Sequence, residues 1–467
     1  MADDSDSSSA AVSSSTSSSD SDEDDLTAVQ MIAASLLVSE LQETEDTFDL
    51  DKLRRSLTDS AFDVNAVDDS HLTPLMTSVS RAQSDDDDHA CAVRLILAHP
   101  NVDVNRRNVL GNTALFHACG VSVQHAVVDA VPGASPDDEP TDAMMLGKTF
   151  DQFKTNKSLT GLQLLMKDPR CDVNVVNSTG KTALSAAVLK VTSGDDIYAR
   201  VIRLLLQHPR LDVNHRNSDK QSAPHFACGC LPADLKSSIG AQMLLAHPHC
   251  DVNLADNNGS TPLMFAVRSA HTDDDTHSQI TRLLLKHPQV DVNAQDADGR
   301  SALHLVCGGS KPHVDSEVGV KLLLADPRCD VNLRDKHGMT ALSIAVMNIQ
   351  RKNDTCAEAT RLLLQRADID VNLQNNKGDT ALHIVCDSAR QPQQPCAAAA
   401  AQMLLSDSRI DVNLLNHVKH TALYNALRSS KEEGDMFSDI VQMHKSILGQ
   451  ERFDQELSTY SSIDAPQ

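Results

Sequence analysis

The chain has no tryptophan, three tyrosines and nine phenylalanines in 467 residues. Large rings therefore cannot fill most of its interior, which must be packed from leucine, valine, alanine, methionine and cysteine. No apolar run approaches the ~18 residues that suggest a membrane-spanning helix, and no leader-like segment opens the sequence. A soluble intracellular protein without membrane insertion is expected. Positive charge is also scarce: 41 Lys and Arg stand against 65 Asp and Glu, a net charge of −24. Binding a phosphate backbone needs a clustered basic surface, so nucleic acid is not an expected ligand. Lys52-Leu53-Arg54-Arg55 is too short for a convincing nuclear-import cluster, so the expected location is cytoplasmic, with passage into the nucleus left open. The sequence lacks a Walker loop, HExxH, GxSxG and GxGxxG, so no enzyme, cofactor or metal centre is expected.

What the sequence has in abundance is one phrase, clearest at Leu283 to Gly308, LLLKHPQVDVNAQDADGRSALHLVCG. An apolar seam, Leu283-Leu284-Leu285, stops at His287-Pro288, since proline cannot continue a helix. Asp291-Val292-Asn293 follows, then Gly299, then Ser301-Ala302-Leu303-His304. The triplet Asp-Val-Asn recurs from Asp63, Asp103, Asp172, Asp212, Asp251, Asp291, Asp330, Asp370 and Asp411. The spacings are 40, 69, 40, 39, 40, 39, 40 and 41 residues. Ten residues after each Asp stands Thr or Ser, and six before it Leu or Met, as in Leu57, Leu97, Met166 and Leu285. Fixed register over this length marks a repeat protein.

The phrase reads as hairpin, helix, turn, helix. Gly111, Gly180, Gly259, Gly299, Gly338 and Gly378 supply a positive-φ turn position. The following Thr or Ser caps a helix, with Pro74 and Pro262 at its first position. Leu303, Val306 and Cys307 share one helical face. A single unit cannot cover that face, so neighbours must stack into an all-α solenoid with short β-hairpins. Each seam leucine should contribute roughly 1.5–3 kcal/mol by burial.

These residues resemble the ankyrin repeat family, and DVNAQDADGRSALHLV follows that family's hairpin and TPLHxA signature. The resemblance runs from about Asp63 to Leu448. It departs in three ways. The period of 39–41 exceeds the family's 33, placing extra residues between the two helices. His71, Lys220 and Lys419 replace the turn glycine, implying strained or altered turns. Pro224 replaces a first-helix leucine, making the fourth repeat the expected weak joint. At the family's TPLH histidine position stand His225, His304 and His383, expected to bond between hairpins; Phe116 takes that slot in the second repeat, with His117 displaced by one.

The resemblance implies a scaffold or adaptor, a monomer that binds a partner protein on a concave surface. By register, its partner-binding candidates are Arg106, Arg107, Val175, His215, Arg216, Leu254, Gln295, Arg334, Gln374 and Leu414. It also implies asparaginyl hydroxylation at Asn65 and Asn293, whose motif continues with Ala. The Ser- and Asp-rich start is similar to that of the NF-κB inhibitors, which gives a second reading as a cytoplasmic inhibitor or degradation adaptor. The DSGxxS degron is absent, however.

Residues 1–25 read as a disordered acidic tail in which Ser19 and Ser21 precede acids at the spacing favoured by acid-directed kinases. Residues 26–62 read as an N-terminal helical cap, 63–435 as the repeat domain with a loop inserted near 121–158, 436–454 as a closing helix and 455–467 as a frayed tail. Odd and even repeats alternate. Odd interhelix loops carry acids, as in Asp85 to Asp88, Asp195-Asp196, Asp273 to Asp275 and Glu432-Glu433, which could steer a Lys/Arg-rich partner. Cys119, Cys228, Cys307 and Cys386 recur in even repeats, and Cys171, Cys250 and Cys329 precede an Asp-Val-Asn, a pattern that reads as core packing and not disulfides. His99, His208, His247 and His287 sit before prolines and read as helix-end residues, because the resemblance implies successive rungs too far apart to share one metal ion.

Overall fold

The repeat phrase folds into paired helices joined by hairpin turns in a computed structural model. It describes residues 50–59, 62–68, 70–121, 159–192, 196–229, 237–270, 275–308, 317–348, 354–388 and 395–433, with a few positions between 442 and 454. Ser19, Ser21, most of the inserted loop and most of the expected closing helix lie outside them. The chain divides into two compact units, 1–179 and 180–467, and the division falls within the third hairpin.

In the first unit α1 (Leu50–Thr58) is followed by α2 (Pro74–Arg81), α3 (Asp88–Ala98), α4 (Ala114–Ala118) and α5 (Thr160–Lys167). Leu53 of α1 packs on Ala92 of α3, with Leu50, Leu57 and Phe62 around them. This is the second helix of the pair expected as an N-terminal cap; residues 26–49, where the first was expected, lie outside the described residues. Gly161 of α5 lies so close to α2 that a Cβ there would sit within 3.0 Å of the Val79 backbone.

The second unit continues in pairs. They are α6 (Ala183–Lys190) with α7 (Ile197–Leu206), α8 (Ala223–Ala227) with α9 (Ile239–Leu245), α10 (Pro262–Arg268) with α11 (Thr276–Lys286), and α12 (Ala302–Cys307) with α13 (Glu317–Leu324). Then come α14 (Ala341–Asn348) with α15 (Asp354–Leu364), α16 (Ala381–Ser388) with α17 (Pro395–Leu405), and finally α18 (Ala422–Glu433). First helices pack on first helices in series from α6 to α18, and second helices do the same from α7 to α17. The result is two layers sharing one core.

That core refines the expected leucine register. The residue six before each Asp is mostly half-buried, while its N-terminal neighbour is sealed: Leu205, Leu244, Leu284, Leu323, Leu363 and Leu404 are fully buried. The helical stripe is centred one residue earlier than the repeat count suggests, a shift of ~100° around the helix. The hairpins are also tighter than the β-hairpins expected. Within the second unit they close through single bridges, Gln295 to Ser301 and Arg334 to Thr340, and not through strands.

The long period resolves into loops between paired helices. In the first, third and fifth repeats, first helices of eight, eight and seven residues are joined to their partners by short segments. In the second, fourth and sixth they shorten to five, five and six, with longer connections. The odd loops explain part of their acidity. Asp87, Asp196 and Asp275 are N-caps, accepting backbone N–H bonds from Ala90 (2.5 Å), Ala199 (2.7 Å) and Ser278 (2.6 Å). Cap geometry satisfies otherwise orphaned amides at a helix start.

Pro224 is the second residue of α8 and fully enclosed. An absent N–H is harmless there, but the slot holds leucine in the neighbouring first helices. Pro224→Leu should raise the urea midpoint, regaining about 1 kcal/mol of apolar contact. An unchanged or lowered midpoint would remove Pro224 as the cause of a weak fourth repeat.

Candidate functional site

Each hairpin is shaped by its own side chains before it meets a neighbour. The Asp of Asp-Val-Asn accepts the backbone N–H of its Asn, as Asp291 does from Asn293 at 2.9 Å. Five residues after that Asp, an Asp or Asn side chain accepts two amides of the turn. Asp335 takes those of His337 and Met339, both at 2.8 Å. This local wrapping is what short acidic and amide side chains do in turns. The glycine three residues later has positive φ, from 70° at Gly111 to 80° at Gly378. His71, Lys220 and Lys419 adopt the same region at 57°, 58° and 64°. Of the strained or altered turns expected there, the strained alternative holds: the geometry is kept, with a side chain in it at roughly 1–2 kcal/mol.

Three sets of bonds tie one hairpin to the next. The first runs through the Asn of the triplet, which reaches forward with both ends of its amide. Asn293 Nδ2 donates to the Arg328 carbonyl (2.8 Å) and its Oδ1 accepts the Asp330 N–H (2.9 Å). The same pair of bonds recurs at Asn214, Asn253, Asn332 and Asn372 in the second unit. Asn65 and Asn105 repeat it in the first. Both candidate hydroxylation sites, Asn65 and Asn293, are thus engaged staples.

The second set joins the tips through backbone alone. Ala297, Lys336, Asn376 and His417 donate their N–H groups to Asn258, Asp298, His337 and Lys377 carbonyls at 2.8–3.0 Å. The third uses a long polar side chain four residues after the Asp. Gln374 Nε2 donates to its own Gly378 carbonyl (2.7 Å) and to Leu415 of the next hairpin (2.9 Å). Gln295 does the same, and Arg107 and Arg216 bridge to Val176 and Ala255. Arg334 Nε bonds back to Gly338.

Histidine adds a fourth tie between neighbouring repeats. His225, His304 and His383 each accept a backbone N–H at Nδ1 from the capping Ser or Thr. Each donates from Nε2 to the next hairpin, at Ser260, Met339 and His420 (3.1 Å in each case). Burial holds all three below the usual histidine range. In the second repeat buried Phe116 fills that slot, and His117 turns back to Asn108 Nδ2 of its own hairpin (3.4 Å). Its enclosure lowers its pKa to about 4.

The His-Pro residues carry out the role that Asp has elsewhere. His99, His208, His247 and His287 accept at Nδ1 the N–H two residues on (3.3–3.4 Å), just as Asp168, Asp326 and Asp407 do through Oδ1 (2.8–2.9 Å). The Asp version adds an arginine clasp unseen in the sequence. Arg409, paired with Asp407 at 2.6 Å, donates to the Leu364 (2.7 Å) and Arg366 (2.8 Å) carbonyls of the preceding repeat. A cation suits the carbonyl-rich end of a helix. Among the described residues eight cysteines are free thiols and no group of three metal-ligating side chains forms. Burial pushes Cys250, Cys329 and Cys386 up to about 12, so they stay protonated and inert.

The ten register candidates thus separate into two sets. Arg107, Arg216, Gln295, Arg334 and Gln374 have their polar ends engaged within the ladder. Arg106, Val175, His215, Leu254 and Leu414 stand one residue earlier. Their side chains take no part in the ladder, although His215 lies 3.9 Å from Asp212. Sequence register alone placed both sets near the tip; only the length and polarity of the later set hinted at bridging.

Comparison with known proteins follows the same lines. The family model described as ankyrin repeats (3 copies) matches residues 190–296 and 273–375. Solved structures similar to this chain include the ankyrin repeat domain of Bcl-3, a member of the IkappaB family, at 24% identity and TM-score 0.43, covering 56% of this chain and 99% of that one. Another is the ankyrin repeat protein EF0377, at 22% identity and TM-score 0.37, covering 48% and 98%. No curated protein sequence matches significantly. No described helix is long and apolar enough to cross a membrane.

Proposed function

From a chain that belongs to the ankyrin repeat family, we propose an intracellular scaffold or adaptor that holds a partner protein against its hairpins and first helices. Ankyrin repeats are protein-interaction modules, and their regular ladder leaves little for the backbone to offer a ligand. Specificity then falls to side chains outside the ladder. The observation that carries this reading is the position three residues after the Asp, Arg106 and Val175 in the first unit and His215, Leu254 and Leu414 in the second, engaged in none of the inter-hairpin bonds described above. In each unit these positions offer a polar and an aliphatic group, which suits a protein surface that is part apolar and part polar. The expected site of action is the cytoplasm, and the expected binding unit a monomer.

Capture from the native cell tests this. Arg106→Glu combined with Leu254→Glu should remove specific proteins from the set captured by the unaltered chain, with the fold intact by circular dichroism. If both chains capture the same set, the row does not contact partners.

A further inference from the structure

A chain of net charge −24 would be expected to show acid everywhere, yet the hairpin tips of its last three repeats each carry a lysine. Lys336, Lys377 and Lys419 are exposed there, one per repeat and each one turn position later than the last, and none has an ion-pair partner among the described residues. The tip ladder fixes their order, since the Asn376 N–H bonds the His337 carbonyl at 2.9 Å and the His417 N–H bonds the Lys377 carbonyl at 3.0 Å. The nearby carboxylates are occupied. Asp335 Oδ1 accepts turn amides at 2.8 Å, Asp379 Oδ1 accepts Asn416 Nδ2 at 2.8 Å, and Asp298, one rung before Lys336, pairs with Arg300 at 3.1 Å.

Two further observations mark this strip. Lys419 holds φ at 64° in a slot that is glycine in six of the nine repeats. Strain of that kind, shared by His71 and Lys220, persists only where the surrounding structure holds it. Beside it, Leu415 and Val418 are 48% and 64% exposed, two of the few large apolar side chains left open to water.

We propose that the tip edge of the seventh to ninth repeats is a docking strip for an extended acidic peptide of another protein, with its carboxylates over Lys336, Lys377 and Lys419 and an aliphatic end on Leu415 and Val418. The assignment rests on the protein-binding reading above but uses a different row of side chains. Stacked helices lie ~8–10 Å apart, and an extended chain rises ~3.3 Å per residue. One layer therefore corresponds to about three peptide residues, so the fitting motif has an acid at every third position and a Leu or Ile beyond the last.

Fluorescence anisotropy tests the strip with the full chain and a labelled peptide of about twelve residues, Glu at every third position and Leu at one end. A control peptide keeps the composition but groups the acids together. The spaced peptide should bind more tightly than the grouped one, and Lys336→Glu/Lys377→Glu/Lys419→Glu should weaken it about ten-fold or more. Lys419→Gly is the second variant, because it relaxes the turn while removing one cation. It should weaken binding and leave the urea midpoint equal or higher, separating loss of a contact from loss of fold. Absence of binding, equal affinity for both peptides, indifference to these substitutions, or tighter binding of single-stranded DNA would each overturn the assignment. None of those results would bear on the row tested by Arg106→Glu and Leu254→Glu.

Discussion

Asn332→Ala should be among the most damaging single substitutions in the second unit, lowering stability by about 2–4 kcal/mol. The deleted amide leaves two backbone groups without partners, the Asp368 carbonyl and the Asp370 N–H, each bound at 2.8 Å by Asn332. A repeat unit draws much of its stability from interfaces with its neighbours, so weakening one interface also weakens cooperation across it. Asn413 supplies the internal control. It stands in the last hairpin, where among the described residues its Nδ2 bonds only its own Asp411, at 3.1 Å. Asn413→Ala should cost less than about 0.5 kcal/mol, the usual scale for a surface substitution. Urea titration of both variants decides the matter. Similar losses would mean that the staple matters through its own turn and not through the neighbour.

Acid should open both units in a window set by histidine before the carboxylates respond. Buried His117, His225, His304 and His383 are neutral in the folded chain, each with its pKa lowered chiefly by desolvation. The unfolded state takes up protons as pH falls below ~6.5, while the native state resists, so stability falls with falling pH. It is complete above the unfolded histidine value and drains away until each folded pKa is passed, about 4 for His117. For His117 alone the loss amounts to about 3 kcal/mol at the bottom of that window. Asp326, Asp368 and Asp407, held low by their arginine partners, act only at pH values lower still. Urea midpoints at pH 7, 6, 5 and 4.5 should therefore descend steadily, with a shallower slope in His117→Gln. A flat profile down to pH 5 would show that these imidazoles can be charged without unfolding.

Much of this was legible in the sequence because each repeat writes its own turn. Asp-Val-Asn, the Asx residue, the glycine and the capping Thr are local devices, and local devices survive in one dimension. The TPLH histidines, whose Nε2 bonds reach the next repeat, were legible through the family resemblance. The bonding of Gln295 and Gln374 was not, since a long polar residue near a tip reads equally well as ladder or as ligand contact until its partner is in place. Nor was the cap role of Asp275, hidden among acids that look alike. The arginine of Asp326-Pro327-Arg328 was obscured differently. Its acceptor, the Leu285 carbonyl, lies in the previous repeat, and only stacking brings it within reach.

The asparagine staple has a direction, and that direction governs how the chain can change in length. Every staple extends from one repeat to the following one, and what it grasps there is backbone, a carbonyl and an N–H that any repeat possesses. No interface depends on a matched pair of unusual side chains in that ladder. A block from Asp251 to Cys329 could therefore be removed, and Asn214 would keep the His249 carbonyl and meet at Asp330 the N–H it now takes from Asp251. Because first-helix lengths alternate between odd and even repeats over the first six, such blocks there are exchangeable in pairs, with odd following even. Recombination acting on a gene of this kind would add or subtract reach two layers at a time without inventing a new contact.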